Sequence, residues 1–524
     1  MLLPQREIPG PELRCGLRLL VYEVVFAQIM GILTTGGFLI GFAVLLGAGN
    51  TMIGLISALG PLAMTLQAPA VFLVEQTRRR KLVLLFGVTV SRSMWFLIPL
   101  VALLLPPQQA LISLLVMLTV HYGLINVATC AFNSWMRDLI PEEEINRVFT
   151  RRLTWATAAG AVVSLLAALG IDAWAHWLGG WGGGVQTAYT VVFLFAASAG
   201  VVSTLLIAMV PEPEMRNGVP DSIFRALAQP FRDGNFRQLL VFLGWWQFAV
   251  NLAAPFFAVY MIRRLELGIG WVIGAATLSQ LVNVLFYPLW GRLADRFSNK
   301  SVLLVSAPLF VFSFLLWPFT TLPEKHMLTI PLLLLIHVLA GIGTAGVNLC
   351  VNNLSLKLAP PGCGGSYLAD AALISGIVAT FAPVLAGISS DWLEDKVVSV
   401  VLRYTDLAAG TAIREMPALD LRGLDYVFIA AFLLGLYAIH RLLSVRERGE
   451  TEERVVRTAA MGEIFQLVRQ VSTVAGVRHI LSFVALLPLI RGRSGRQSTG
   501  GSPSTDTLDG LPEVAAHDST RITD

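Results

Sequence analysis

Charge is scarce in this chain. Only 14% of its 524 residues are Asp, Glu, Lys or Arg, against roughly 25% in a soluble globular domain. So little polar surface cannot cover a body of this size in water, and most of the exterior must face lipid. Cysteine is scarce too. Cys15, Cys130, Cys350 and Cys363 form no CxxC and no other ligand spacing, which excludes a disulfide framework and a zinc site. The seven histidines are scattered, and neither HExxH nor GxSxG occurs, so the constellations of a membrane hydrolase are missing. No Gly-x4-Gly-Lys-Ser/Thr occurs either, which argues against ATP-driven work by this chain alone. No cleavable signal peptide is expected: Pro4, Glu7, Pro9 and Glu12 precede a first apolar run too long for a signal h-region. Acids are also absent from clear midplane positions.

What is present is hydrophobic length. Apolar residues make up 55% of the chain and mean hydropathy is +0.69. Runs of about 20 residues, enough to cross a ~30 Å hydrocarbon core, are expected at 19–46, 51–75, 82–105, 110–136, 154–177, 187–210, 238–262, 269–290, 301–322, 329–356, 366–391 and 424–443. The fold class is therefore an all-α membrane protein of twelve transmembrane helices.

Basic residues orient these spans. Arg78, Arg79, Arg80, Lys81, Arg137, Arg147, Arg151 and Arg152 lie on one side, with Arg216, Arg225, Arg232, Arg292, Arg296 and Lys300. The first three loops of the other side, near 47–50, 106–109 and 178–186, hold no Lys or Arg. Positive charge marks the cytoplasmic side, so both termini are expected there. Arg263 and Arg264 break the pattern, and the long loop 392–423 is mixed. The prolines of 211–237 mark a linker between two sets of six spans. The expected organisation is an N-terminal segment 1–18, a first bundle 19–210, the linker 211–237, a second bundle 238–443 and a cytoplasmic tail 444–524. Within the tail, 477–490 reads as an interfacial helix, and 491–524 as disordered for its Gly, Ser, Thr and Asp content.

A shift of 220 residues lays the second bundle on the first. Glu75 falls on Asp295 and Ile53-Gly54 on Ile273-Gly274. Gly123, Cys130, Asn133, Arg137 and Pro141 fall on Gly343, Cys350, Asn353, Lys357 and Pro361. Matched Cys, Asn, Pro and basic residues at one offset carry more weight than matched Val or Ile. Two parallel repeats imply a pseudo-two-fold axis along the membrane normal.

Between the eighth and ninth apolar runs stands a charged island, Gly291-Arg292-Leu293-Ala294-Asp295-Arg296-Phe297-Ser298-Asn299-Lys300, read as a membrane-surface loop. It resembles the loop signature of the major facilitator superfamily, with Ser298 and Asn299 in place of the usual Gly-Arg. The first-half copy, Val71 to Lys81, is worn: Val71 stands where Gly is usual and Glu75 replaces Asp. The segments 134–141 and 254–261 resemble a bacterial branch of that superfamily. The resemblance covers about 19–443. It implies two pseudo-symmetric six-helix bundles and a secondary transporter in the bacterial cytoplasmic membrane, moving a small solute by rocker-switch alternating access. It also implies gating roles for Gly291, Asp295, Arg296 and Lys300, and for Glu75, Arg78, Arg79 and Arg80 in the worn copy. The plainer alternative is that these loops are only positive-inside anchors. Pro383 and Gly387 in the eleventh span are a fragment of a Gly-Pro signature that the fifth span lacks, which lowers the odds of a multidrug exporter.

Polar side chains at membrane depth are site candidates by default. The resemblance implies that spans one, four, seven and ten line the cavity, which selects Gln28, His121, Asn126, Gln247, Asn251, His337 and Asn348. Helix-to-helix bonding is the plainer role for each amide. Candidates for proton coupling are His121 and His337, because imidazole titrates near neutral pH, and the shallow Glu23. Asp370 is equally shallow and can be read as a helix N-terminal acid. Arg92, near the midplane of the third span, calls for an internal partner rather than a solute. The glycines Gly31, Gly36, Gly37 and Gly41 fit either hinges or close packing. No enzyme activity, cofactor or metal is expected. The expected partners are a small-molecule solute, membrane lipid and the proton as coupling ion, without nucleic acid, and the chain is expected to act as a monomer. The competing class is a non-transporting membrane sensor or scaffold that signals through its tail.

Overall fold

The computed structural model describes residues 4–6, 8–177, 184–215, 230–321, 324–360, 364–405 and 413–447. The proposed interfacial helix 477–490 and most of the 211–237 linker lie outside the described residues.

The first half contains α1 (Gly10–Leu33), α2 (Gly36–Leu45), α3 (Asn50–Met64), α4 (Gln67–Thr77), α5 (Arg80–Leu104), α6 (Pro107–Leu139), α7 (Glu142–Trp177) and α8 (Val185–Ala208). The second contains α9 (Gly234–Ala253), α10 (Phe256–Arg263), α11 (Ile269–Arg296), α12 (Asn299–Leu316), α13 (Thr329–Leu358), α14 (Gly364–Leu393) and α15 (Leu424–Leu442). Among the described residues, eleven helices or helix pairs are long and apolar enough to cross a membrane, and twelve if the bent pair Asn50–Met64 and Pro69–Thr77 counts as one span. The halves are two bundles related by the repeat, and the lipid-facing surfaces carry large apolar side chains such as Leu104, Leu153 and Leu166.

Three spans are broken where continuous runs are expected. α1 ends because the Thr34 and Thr35 hydroxyls turn back to the Met30 and Gly31 carbonyls at 2.7 and 2.8 Å, the side-chain competition that weakens helix ladders. Gly36 follows with φ +56°. The second span bends by 48° between α3 and α4. The seventh is interrupted before Pro255, whose ring lacks the N–H to continue a ladder.

Two further differences concern loops. The signature segment is mostly helix: α11 continues through Arg296, with Leu293 and Ala294 buried. Only Phe297 and Ser298 connect it to α12, and the Ser298 hydroxyl accepts the Ser301 N–H at 3.0 Å as the N-cap. The residue that departs from the usual signature thus starts the next helix. The long loop 392–423 contains an antiparallel hairpin, β1 (Val398–Thr405) and β2 (Ile413–Leu421), with a register irregularity at Val400/Val401. The β-branched run Val397, Val398, Val400, Val401 favours a strand there.

Candidate functional site

A cluster of hydrogen bonds joins the two halves at one end of the molecule, opposite the signature segment. At that far end, Asp391 of α14 accepts the first backbone N–H groups of α3, from Asn50 at 3.0 Å and Thr51 at 2.8 Å, and the Thr51 hydroxyl at 2.6 Å. Asp172 of α7 does the same for α11, accepting the Ile269 and Gly270 N–H groups at 3.1 and 2.8 Å. The first turn of a helix leaves its N–H groups without internal partners and carries partial positive charge. Each acid therefore satisfies the opposite half's helix start. Asn50 also donates to Ser390 at 3.2 Å. Arg263 donates to the Asn50 side chain at 3.1 Å and to the Ala48 carbonyl. This accounts for Arg263 on the side that the charge pattern leaves empty: its charge is spent on a contact between halves.

Close packing continues the closure. A Cβ at Gly54 would run into the Pro383 carbonyl, and one at Gly387 into the Asn50 carbonyl. Small residues let helix backbones approach within a membrane, so α3 and α14 lie directly against one another. Gly37 plays a similar part, with Ile273 and Val272 at its face.

Towards the signature end lies a cavity of about 180 Å³ lined by Trp246, Gln247, Asn348, Asn352, Ser355 and Ser375, among others. Gln247 and Asn348 belong to the expected set. Asn251 donates to the Gln247 carbonyl and side-chain oxygen at 2.9 and 3.1 Å, and so orients it. Asn352, Ser355 and Ser375 were missed. Asn352 sits one turn beyond Asn348 on the same face, a spacing that could have found it.

The other candidates have identified neighbours. Asn126 accepts from Gln67 at 2.8 Å and donates to the Tyr122 carbonyl at 2.9 Å. Gln28 packs against Gly160 of α7. His121 is buried against α5: its Nδ1 lies 2.8 Å from the Ser91 hydroxyl, and Trp95 Nε1 reaches its Nε2 at 3.5 Å. His337 is buried too, with Nδ1 2.9 Å from the Leu333 carbonyl and its ring edge-on to Trp317. Neither histidine lines the cavity.

Glu23 is buried between helices. It accepts from Arg152 of α7 at 3.1 Å and from Ser203 of α8 at 2.9 Å. Arg92 has the expected internal partners, the Gly200 carbonyl at 2.9 Å and the Thr204 hydroxyl at 2.6 Å. Asp370 is fully buried.

At the signature end, the basic residues hold each half together. Arg80 bonds Asp138, the Ser134 carbonyl at 3.1 Å and the Pro213 carbonyl at 2.7 Å. Glu212 accepts the Lys81 N–H at 3.1 Å, and burial raises its pKa against the pull of Lys81 and Arg80. In the second half Glu447 accepts the Lys300 N–H at 2.7 Å and Asn299 at 2.9 Å, while Lys300 Nζ reaches the Leu443 carbonyl at 3.2 Å. In both halves, then, a glutamate just after the last helix caps the third span. Arg80 and Lys300 are buried in these networks, whereas Glu75, Arg78, Arg79, Asp295 and Arg296 are not, and Gly291 is half-buried.

Two bundles of membrane-span-length helices, bonded to each other at one end and with a polar cavity inside the second, are the frame of a multi-pass membrane protein. The model of the Major Facilitator Superfamily matches residues 24–383 and 238–488. The chain belongs to that superfamily. No curated protein matches it in sequence. Among solved structures it is similar to a single-residue mutant of the nucleoside transporter NupG, at 13% identity and TM-score 0.61, over 83% of this chain and 100% of that one. It is also similar to a bacterial homologue of the iron transporter ferroportin in an inward-facing state, at 12% identity and TM-score 0.58, over 84% and 100%. A third is a bacterial homologue of the human lysosomal transporter Spinster, inward-facing and unoccupied, at 14% identity and TM-score 0.57, over 84% and 98%. These likenesses define the fold.

Proposed function

We propose that this protein is a secondary transporter that moves a small solute by rocking its halves, 19–210 against 238–443. The observation that carries this reading is the closure of the far end by paired acids on paired helix starts. That is one of the two states alternating access requires. With the termini in the cytoplasm of a bacterial cell, this state is inward-facing, as two of the similar structures are described to be. Gln247 and Asn348 lie on the solute path, with Asn352 and Ser375. Glu23 is the candidate for proton coupling, because a buried carboxylate held by one arginine and one serine has a partner to exchange when it takes up a proton. Arg152 of α7 and Arg92 of α5 are the charged groups that face it; α8 presents Ser203 and Thr204, and α2 presents no titratable group.

The test is flux. Purified full-length protein in proteoliposomes, offered radiolabelled solutes with and without a pH gradient, should accumulate at least one of them. Absence of flux under either condition would overturn the transporter reading and favour a sensor that acts through its tail.

A further inference from the structure

The first half contains a second cavity, of about 130 Å³, lined by Glu23, Arg92, Thr129, Phe132 and Arg152 and otherwise by aliphatic side chains. Its charges do not balance. Two guanidiniums face one carboxylate, so the chamber holds one positive charge in excess. Excess buried charge is costly unless a counter-charge is supplied. Arg152 is satisfied within the protein, by the Leu20 carbonyl at 3.0 Å, by Glu23, and by the Phe132 ring 5.2 Å below its guanidinium. Arg92 is only half satisfied. Both of its protein bonds come from one nitrogen, Nη1, which leaves the Nε and Nη2 edge without a protein acceptor among the described residues. A guanidinium edge of this kind matches two oxygens of a carboxylate or phosphate.

A second arginine-lined cavity lies on the same two helices, α1 and α7. It measures about 890 Å³ and is lined by Arg14, Arg18 and Arg151 against Glu144. Arg151 and Arg152 are consecutive on α7, so the helix presents one guanidinium to each cavity. Clefts lined by one sign of charge between low-dielectric walls concentrate ions of the opposite sign.

We infer that Arg92 and Arg152 form a binding site for a small oxyanion, carboxylate or phosphate, with Glu23 as the built-in counter-charge that the ligand displaces from Arg152. The site takes the anionic head of a solute and makes the transported class anionic. It rests on the transporter reading only for its physiological meaning, because binding is measurable without flux.

The experiment follows thermal unfolding of the purified full-length protein with succinate, inorganic phosphate, sodium chloride or choline chloride at matched ionic strength. Succinate or phosphate should raise Tm saturably, and the two chloride salts should not; the anion that saturates lower assigns the carboxylate or phosphate class. Glu23→Gln should lower the half-saturating concentration about five-fold or more, and Arg92→Gln should raise it about ten-fold or more, the equivalent of about 1.4 kcal/mol. The unmodified protein provides a check that needs no variant: the same anion should protect Arg92 from phenylglyoxal, read by peptide mass spectrometry. Equal shifts with chloride, no shift with either oxyanion, weaker binding in Glu23→Gln, or an unprotected Arg92 would each overturn the site. Oxyanion binding without transport would leave the site standing and sink the transporter reading. Transport of a neutral solute, with no oxyanion effect, would do the reverse.

Discussion

Asp172 and Asp391 occupy corresponding places in the two halves, within one residue of the 220-residue shift, and each caps the first turn of a helix in the other half. A carboxylate at a helix start is worth about 0.3–1 kcal/mol when exposed. Two such contacts bias a rocking equilibrium without freezing it. Asp391→Asn or Asp172→Asn should each shift the population towards the state open at the far end by about two- to five-fold, as expected for that energy. The double variant should come close to the product, because the acids share no partner. Distance measurements between spin labels placed across the far end would report the shift. An unchanged distribution would show that the pair does not set the equilibrium.

The α3–α14 contact makes a different demand. Side chains can yield, but the Pro383 carbonyl opposite Gly54 is backbone. Gly54→Ala should therefore prevent full closure at the far end, where the acids only bias it. We expect transport to fall by about ten-fold or more while the protein still inserts, since ΔΔG of ~1.4 kcal/mol already costs that factor. Gly274 has open space at its Cβ, so Gly274→Ala in the corresponding place should be tolerated. Equal loss in both would remove the steric argument.

The signature end carries an asymmetric prediction. Asp295 is exposed at the end of α11, and Glu75 is half-buried on α4 in a worn copy of the same motif. If these acids hold the signature end closed in the opposite state, Asp295→Asn should reduce transport more than Glu75→Gln at equal expression. The reverse order would count against a gating role for the second-half copy.

Glu212 offers a pH test outside the spans. Burial raises its pKa above the ordinary 4.5 even with Lys81 and Arg80 beside it. A raised carboxyl contributes stability that is full below the unfolded value and is lost as pH rises through the folded one. Gln imitates the neutral form. Thermal melts should therefore show Glu212→Gln gaining on the natural protein between pH 4 and pH 7. A shift the other way would mean that the ion pairs outweigh desolvation.

The architecture was legible because it depends on composition and repetition. Span length, loop charge and the 220-residue shift all report on the chain as a whole. The far-end clasp was not legible, although Asp172 and Asp391 obey the same shift. An acid beside an apolar run reads as an interface residue until the helix start that it caps is known, and that start belongs to the other half. Breaks in α1 and α9 hide for a similar reason: the runs stay apolar across Thr34–Thr35 and Pro255. The amides Gln247 and Asn348 were found because depth alone selects them. The Arg92–Glu23–Arg152 chamber draws on three spans, and no spacing within one of them announces it.

His121 shows why depth alone selects imperfectly. A midplane imidazole is a natural proton carrier by position, yet here both ring nitrogens meet α5, through Ser91 and Trp95. A ring held on both sides within a bundle supports packing better than proton passage. His121→Ala would leave the Ser91 hydroxyl and Trp95 N–H without this partner, at about 1–3 kcal/mol for a buried polar group left unsatisfied. We expect a lower Tm with the pH dependence of transport unchanged. Glu23→Gln should instead remove the response to a pH gradient, with a lower Tm of its own because Arg152 loses its counter-charge. If His121→Ala abolishes pH-driven transport at undiminished stability, the proton path runs through α6 and not through the Glu23 cluster.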